Sequence, residues 1–240
     1  MAARVPTPKY SRPSGYKEAR HLPKPFKLRR YYTPAEVAAH NTSDDCWVSF
    51  FGEVYDLSKL IQDNFGAECE PLIRSAGQDI THWFDLATKE PRTWVDSVTN
   101  MTWYYCPLGR YLHIPPIEPD SAWDPSSFKT PWWKNKELRI GCLTEKTRKL
   151  RIINMLTKDD DIIEVCREET MNEILDRYIP SNEHAASYTW KRLGRPLDMD
   201  ATLEENDIPD ETAEFVDLNI DEDAYIACVH LYYNDDLTVA

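Results

Sequence analysis

A segment rich in proline and aromatic residues divides this chain in two. Residues 100–137 hold six prolines and eight large aromatic side chains, but show little helical or strand periodicity. Proline interrupts both helices and strand ladders, so the residues on either side are expected to fold as separate units. Large aromatic rings need burial, so we expect this segment, called the strap below, to lie against one or both units. The acidic balance of the chain argues against the rival interpretation, a stacking surface for single-stranded nucleic acid.

The residues before the strap predict a small domain of mixed α and β structure. Thr33 and Glu36 have the spacing of a capping box, with Pro34 at the first helical position. The helix that they predict ends near residues 40–41. Two strand-like runs follow and are joined through Gly52, where a tight turn is expected.

Residues 31–95 resemble the cytochrome b5 family. The motifs that carry the resemblance are Thr33-Pro34-x-Glu36-Val37-x-x-His40-Asn41, Asp45-Cys46-Trp47-Val48, Gly52-x-Val54-Tyr55-Asp56-Leu57 and Ala76-Gly77-x-Asp79-x-x-x-x-Phe84. The resemblance implies a small sheet with two pairs of helices around haem b, whose iron is held by two imidazoles. By register, the two ligand positions fall on Asn64 and Lys89. An amide is a poor iron ligand, and a lysine must first lose its proton, with a reference pKa near 10.4.

The imidazole nearest to these positions belongs to His82, which is the candidate axial ligand for iron if haem is bound. His82 lies seven residues before Lys89, about two helical turns or roughly 10 Å, so haem in the family's pose would need a rearrangement. The alternative is that His82 is a half-buried structural residue hydrogen-bonded to a neighbouring backbone group or carboxylate, such as that of Asp79 or Asp85. Both interpretations remain open from the sequence.

Two further residues suggest that haem b is absent or weakly held. Phe65 replaces the proline that follows the family's first ligand, and we expect its ring to occupy space that haem needs. Pro71 is expected to disturb the helix that normally follows. His40 is predicted to end the first helix. The other histidines lack partners at metal-ligand spacing, and the cysteines contain no C-x-x-C pair and are predicted to be buried thiols: Cys46, Cys69, Cys106, Cys142, Cys166 and Cys228.

The residues after the strap predict a second domain. Two β-branched runs are separated by residues 157–160, which predict a hairpin, and Thr170 and Glu173 form a second capping box that opens an amphipathic helix. The element order β-β-α-β-β and the run Leu193-Gly194-Arg195-Pro196-Leu197 resemble a ubiquitin-like β-grasp. The predicted class is α+β: a basic arm (1–30), a cytochrome b5-like domain (31–99), the strap (100–137) and a ubiquitin-like β-grasp domain (138–240).

The two ends of the chain carry opposite charge. Residues 1–30 hold nine Lys or Arg against Glu18 alone, a net of +8, whereas residues 151–240 hold 7 basic and 23 acidic residues, a net of −16. With five prolines and few aliphatic residues, the arm is predicted to be flexible. It is either a solvated tail or a segment that binds an acidic partner, such as a microtubule surface.

Several classes of function have no support in the sequence. The sequence has no G-x-G-x-x-G, P-loop or G-x-S-x-G motif, so no enzyme is predicted. No apolar run approaches the roughly 20 residues of a membrane helix, and no signal peptide is evident, so we expect a soluble cytoplasmic protein without a membrane or nucleic-acid partner.

Two hypotheses for function remain. The pairing of a cytochrome b5-like domain with an acidic β-grasp domain resembles a family of motile-cilium proteins associated with the axoneme and its radial spokes. This resemblance implies a non-enzymatic interaction subunit of the ciliary cytoskeleton that contacts axonemal proteins, radial-spoke subunits among them. The alternative is a haem-binding electron carrier or sensor with His82 as the axial ligand.

Overall fold

The structure, a computed structural model, describes residues 30–118, 120–121, 123–221 and 225–233. The predicted arm therefore lies outside the described residues except for Arg30. The first unit contains short helices and strands in the order β1 (Tyr31–Tyr32), α1 (Pro34–Ala39), β2 (Trp47–Phe50), β3 (Glu53–Asp56), α2 (Ser58–Asp63), α3 (Glu70–Arg74), β4 (Thr93–Val95) and β5 (Thr102–Tyr104). The capping box predicted for α1 is confirmed: the Thr33 hydroxyl accepts from Glu36 N, and the Glu36 carboxylate accepts from Thr33 N.

The first sheet has the strand order β1-β6-β3-β2, where β6 is Arg139–Leu143. The turn between β2 and β3 uses Gly52 at φ +73°, as predicted. Strand β6 follows the predicted boundary at residue 138, yet it pairs in parallel with β1 and antiparallel with β3. A Cβ at Gly141 would lie 2.6 Å from the Tyr32 ring, so only glycine allows this close pairing.

Strands β4 and β5 form a separate two-stranded hairpin across the predicted boundary at residue 99. Trp94 pairs with Trp103 in its centre. A two-stranded hairpin is marginally stable alone in water, and most of this one's side chains are exposed. The hairpin therefore presents apolar side chains at the surface of the first unit.

The elements of the second unit are β7 (Thr147–Asn154), β8 (Asp160–Cys166), α4 (Met171–Tyr178), β9 (Tyr188–Arg192), β10 (Arg195–Pro196), α5 (Thr212–Asp217) and β11 (Cys228–Tyr233). Its strands form a five-stranded mixed sheet with the order β10-β9-β11-β7-β8. The parallel pair β7 and β11 lies inside the sheet, and the predicted β7–β8 hairpin and the capping box of α4 are confirmed.

Each unit has its own hydrophobic core. The core of the second unit joins the apolar face of α4, with Ile174 at its centre, to β7 and β11. The core of the first unit combines β2, β3 and the short helices with residues of the strap. The prediction that the cysteines are buried is only partly correct: Cys46, Cys69 and Cys166 are buried, but Cys106, Cys142 and Cys228 are partly exposed.

Charged side chains join the two units. The Arg177 guanidinium on α4 lies between Glu169 of its own unit, at 2.6 Å, and Glu36 on α1 of the first unit. Burial opposes the charge of Arg177, but its hydrogen bonds to these two carboxylates outweigh that effect and raise its pKa. Arg30, at the end of the arm, forms a second ion pair with Glu173, at 2.7 Å. The last arm residue therefore contacts an acidic residue of the second unit.

None of the helices in the described ranges has the length and hydropathy of a membrane-spanning segment. Within the same ranges, no group of three or more His, Cys, Asp or Glu side chains is placed to hold a metal ion.

Candidate cofactor site

Asn64, at the first predicted ligand position, is the exposed residue that ends α2. Its side-chain amide donates to Leu60 O at 2.9 Å, and its backbone carbonyl accepts from the Cys69 thiol at 3.0 Å. The amide is therefore used to cap the helix.

Lys89, at the second predicted position, is also exposed. Its backbone has a φ of +56°, and its N–H donates to Asp85 O at 2.9 Å, which closes a tight turn. The ammonium lies 5.6 Å from the centre of the Phe51 ring, a cation–π distance. Neither predicted position thus presents an imidazole.

His82, the candidate axial ligand, is exposed on a single 3-10 turn spanning Thr81–Trp83. Its ring is edge-on to Trp83, with centroids 6.3 Å apart. Asp79 accepts hydrogen bonds from Ser49 and Thr81 instead. Asp85 accepts from residues 87 and 88. The structure therefore places His82 at the surface, and not in the half-buried position of the alternative expectation.

The prediction for Phe65 is wrong, since its side chain is 81% exposed. The turn after α2 directs this residue away from the core, so its ring cannot fill an internal space. The expectation for Pro71 is also wrong. Pro71 lies in the first turn of α3, where proline is tolerated because the early N–H groups have no helical acceptor.

The strap fills the interior of the first unit. Tyr111 and Trp132 are 0% and 1% exposed, and Trp133 is also buried. The Trp132 ring lies edge-on to Phe50 and Phe84, with centroids 5.8 and 6.0 Å apart. Phe84 belongs to the last motif of the family resemblance, so the strap packs against the part of the domain that carries this resemblance. The sequence correctly predicted that the strap lies against a folded unit.

Tyr111 closes the other side of this aromatic cluster. Its ring centroid lies 4.9 Å from that of Trp83 and 6.3 Å from that of Trp132. Burial raises the pKa of the Tyr111 hydroxyl. Among the described residues, neither this hydroxyl nor Trp132 Nε1 has a hydrogen-bond partner.

His113 holds the two halves of the strap together. Its backbone has a φ of +71°, and its Nδ1 accepts a hydrogen bond from Trp132 N at 3.0 Å. The ring stacks on Phe128 at 4.0 Å. Burial lowers the pKa of His113, and the nearby Glu68 opposes this shift. No sequence pattern indicated this role, because the contact joins residues that are far apart in a non-periodic segment.

Comparison with known proteins shows the family to which the chain belongs. "Cytochrome b5 domain-containing protein 1" of Xenopus laevis is 50% identical over 210 residues, which cover 87% of this chain and 96% of that relative. The Homo sapiens protein of the same description is 49% identical over 211 residues, 88% of this chain and 92% of its own length. The chain belongs to the cytochrome b5 domain-containing protein 1 family.

This member of the cytochrome b5 domain-containing protein 1 family carries a match to the family model described as "Cytochrome b5-like Heme/Steroid binding domain" over residues 33–101. A "Cytochrome b5" of Oryza sativa subsp. japonica is 42% identical over only 57 residues, 24% of this chain and 41% of that protein. The match ends at residue 101, so the three buried strap aromatics lie beyond the segment shared with the general haem/steroid-binding domain.

Proposed function

We propose that this chain is a non-enzymatic structural and interaction subunit of the motile-cilium axoneme, associated with radial spokes, and that its first unit does not hold haem through two histidines. The observation that carries the cofactor part is the aromatic interior: Tyr111, Trp132 and Trp133 fill the domain with side chains of the chain itself. The ciliary part is supported by the pairing of a cytochrome b5-like unit with an acidic second unit in one chain.

The side chains at the ligand positions do not fit a haem with two axial imidazoles. Asn64 offers an amide that caps its own helix, and Lys89 offers an exposed ammonium that must lose a proton before it binds iron. His82 is exposed on the turn before Phe84. These three residues support the proposal that the haem pocket of the family is degenerate in this chain.

The second unit is proposed to be a ubiquitin-like β-grasp. This assignment is supported by the parallel neighbours β7 and β11, the first and last strands of the unit, and by α4, which follows the β7–β8 hairpin and packs on the sheet. Such a domain inside a chain acts as a docking module.

The surface of the first unit supports an interaction role. Large exposed apolar side chains normally occur singly on a protein surface, and a concentration of them marks an interaction site. The described segment 86–108 exposes eight such side chains: Leu86, Trp94, Val95, Val98, Met101, Tyr104, Tyr105 and Leu108.

A haemin titration tests the cofactor part. We expect the wild-type protein to show no sharp low-spin spectrum, because neither Asn64 nor Lys89 would supply an imidazole to the iron. A stoichiometric low-spin complex in the wild type would refute this part of the proposal.

The second candidate function, a haem carrier or sensor with His82 as its ligand, is favoured by the match to a haem/steroid-binding domain model. It predicts a high-spin spectrum, because one axial bond leaves the sixth position open to added carbon monoxide or imidazole. His82→Ala would abolish that spectrum, whereas a haem signal that survives in His82→Ala removes His82 as the ligand.

Retention in axonemes tests the ciliary part. A tagged full-length chain, expressed in ciliated cells that lack it, is expected to remain with demembranated axonemes. A variant with neutral glutamines at the nine basic positions of residues 1–30 is expected to wash off at lower salt, since screening weakens a charge-driven contact. If the wild-type protein is found in the membrane-and-matrix fraction and not with the axonemes, the proposed axonemal location is refuted.

A further inference from the structure

The strap is attached at two points that lie beside the two predicted ligand positions. Glu68 lies four residues after Asn64, and its carbonyl accepts from Leu112 N at 3.2 Å. Its carboxylate pairs with the Arg110 guanidinium. Glu68 thereby holds the first half of the strap near the end of α2.

The second attachment is at Glu90, the residue after Lys89. Its carboxylate accepts from Trp133 Nε1 at 3.2 Å and pairs with the Lys134 ammonium. The strap therefore contacts both ligand segments, and its three buried rings belong to the core of the first unit.

We propose that the strap is the built-in occupant of the place that a planar cofactor would take in this domain. The apolar face formed by Phe50 and Phe84 is covered by the Trp132 indole. One face cannot be covered by an indole and by a second planar ring at the same time. The inference rests on the haem-free site proposed above, but not on the ciliary location.

The polar contacts of the strap are concentrated at its attachment points and at His113. In its centre, Tyr111 OH and Trp132 Nε1 have no hydrogen-bond partner among the described residues. These two rings are held by packing alone. Displacing them from the core breaks no hydrogen bond of their polar side-chain atoms, so a planar apolar molecule competes with them mainly through contact area.

The consequence is that ligand affinity is linked to the position of the strap. A planar molecule binds only to the fraction of molecules whose strap is displaced, so its apparent dissociation constant is raised by the inverse of that fraction. Removing the indole that covers the face removes this competition.

The test uses indole, the group that is deleted, as a probe of the full-length chain. Trp132→Ala is expected to lower the melting temperature by about 10 °C, since it empties a buried tryptophan site. Indole at ten times its dissociation constant should then raise the melting temperature of this variant by about 4 °C. Trp132→Leu serves as a second variant with a smaller cavity if Trp132→Ala does not fold.

The matched control is Trp94→Ala, the same chemical change at a side chain that is 52% exposed on the hairpin. Indole is expected to leave the control and the wild type unchanged. An equal indole effect on Trp132→Ala and Trp94→Ala, or no effect on either Trp132 variant, would overturn the inference.

A haemin titration separates this inference from the proposed function. The double variant Trp132→Ala/Trp133→Ala is expected to bind haemin at least tenfold more tightly than the wild type. Equal affinity of the double variant and the wild type overturns the inference. A low-spin complex of the wild-type protein with haemin instead refutes the haem-free proposal, whatever effect indole has on the melting temperature of the variants. The axonemal experiment is independent of both results.

Discussion

At the scale of single residues, Tyr111 is a buried ring whose hydroxyl is not satisfied within the described structure. Tyr111→Phe keeps the ring and removes the unpaired group. Leaving a buried hydroxyl without a partner costs about 1–3 kcal/mol, so we expect the free energy of unfolding to rise by about 1 kcal/mol. Urea denaturation of the full-length chain measures this change.

The control for Tyr111→Phe is Tyr178→Phe. The Tyr178 hydroxyl is hydrogen-bonded to the Asp161 carboxylate at 2.8 Å, so its removal should lower stability by about 1 kcal/mol. If both variants lose stability equally, the Tyr111 hydroxyl has a partner and its burial is not a cost.

His113 gives the strap a dependence on pH. Its Nδ1 accepts from Trp132 N and must be unprotonated, and burial lowers its folded-state pKa below 6.5. Because the unfolded chain binds the proton more readily, the stability from this group is present above about pH 6.5 and is lost as the pH falls through the folded pKa.

Unfolding measured between pH 7 and pH 5 tests this expectation. His113→Asn removes the titrating group, and asparagine tolerates the positive φ at this position. The variant should lose stability less steeply than the wild type as the pH falls, whereas His184→Asn, at an exposed histidine, should keep the wild-type slope. Identical slopes in all three proteins would contradict the role of His113.

At the scale of secondary-structure elements, α4 stabilises the second unit by packing against its sheet. Ile174 is 0% exposed in the core between α4 and the sheet, so Ile174→Ala should lower the free energy of unfolding by about 2–5 kcal/mol. Ile162, on the outer strand β8, is 50% exposed, and Ile162→Ala should cost less than about 1 kcal/mol. Equal losses in the two variants would show that α4 does not pack as described.

The elements that the sequence predicts well are those set by neighbouring residues. Both capping boxes, at Thr33 and Thr170, were predictable because the donor and acceptor are three residues apart. Strand β6 was assigned to the wrong side of a boundary because its partners in β1 and β3 are distant in sequence. No pattern among neighbouring residues in the sequence indicates such a pairing.

The same distinction applies to the candidate site. Register alone located Asn64 and Lys89 at the family's ligand positions. The rings that fill the domain come from residues 111–133, and aromatic content indicates that they need burial but not which surface receives them. Phe65 was chosen for this role because it is near Asn64 in sequence, and its exposure shows that proximity along the chain is a poor guide here.

At the scale of the whole molecule, Arg177 couples the two units. Arg177→Met would leave the Glu169 carboxylate, which is almost fully buried, without its cationic partner. Leaving a buried charge without its partner lowers the free energy of unfolding by about 3–5 kcal/mol. We therefore expect the melting temperature of the full-length chain to fall by about 10 °C.

The matched control is Arg167→Met. Arg167 pairs with Glu204, and both side chains are largely exposed, so this loss should cost no more than about 1 kcal/mol. Adding Glu169→Gln to Arg177→Met should recover part of the lost stability. A double variant less stable than Arg177→Met would contradict the explanation.

The position of β6 has a consequence for gene products that end early. A gene interrupted by a stop codon beyond the strap but before residue 139 would encode β1 and β3 without the strand that lies between them. A stop codon placed later, within the second unit but before residue 177, would keep β6 and lose the Arg177 contact to Glu36. In both cases the truncated product is expected to be degraded, so it should not accumulate in the cell or compete with the intact protein.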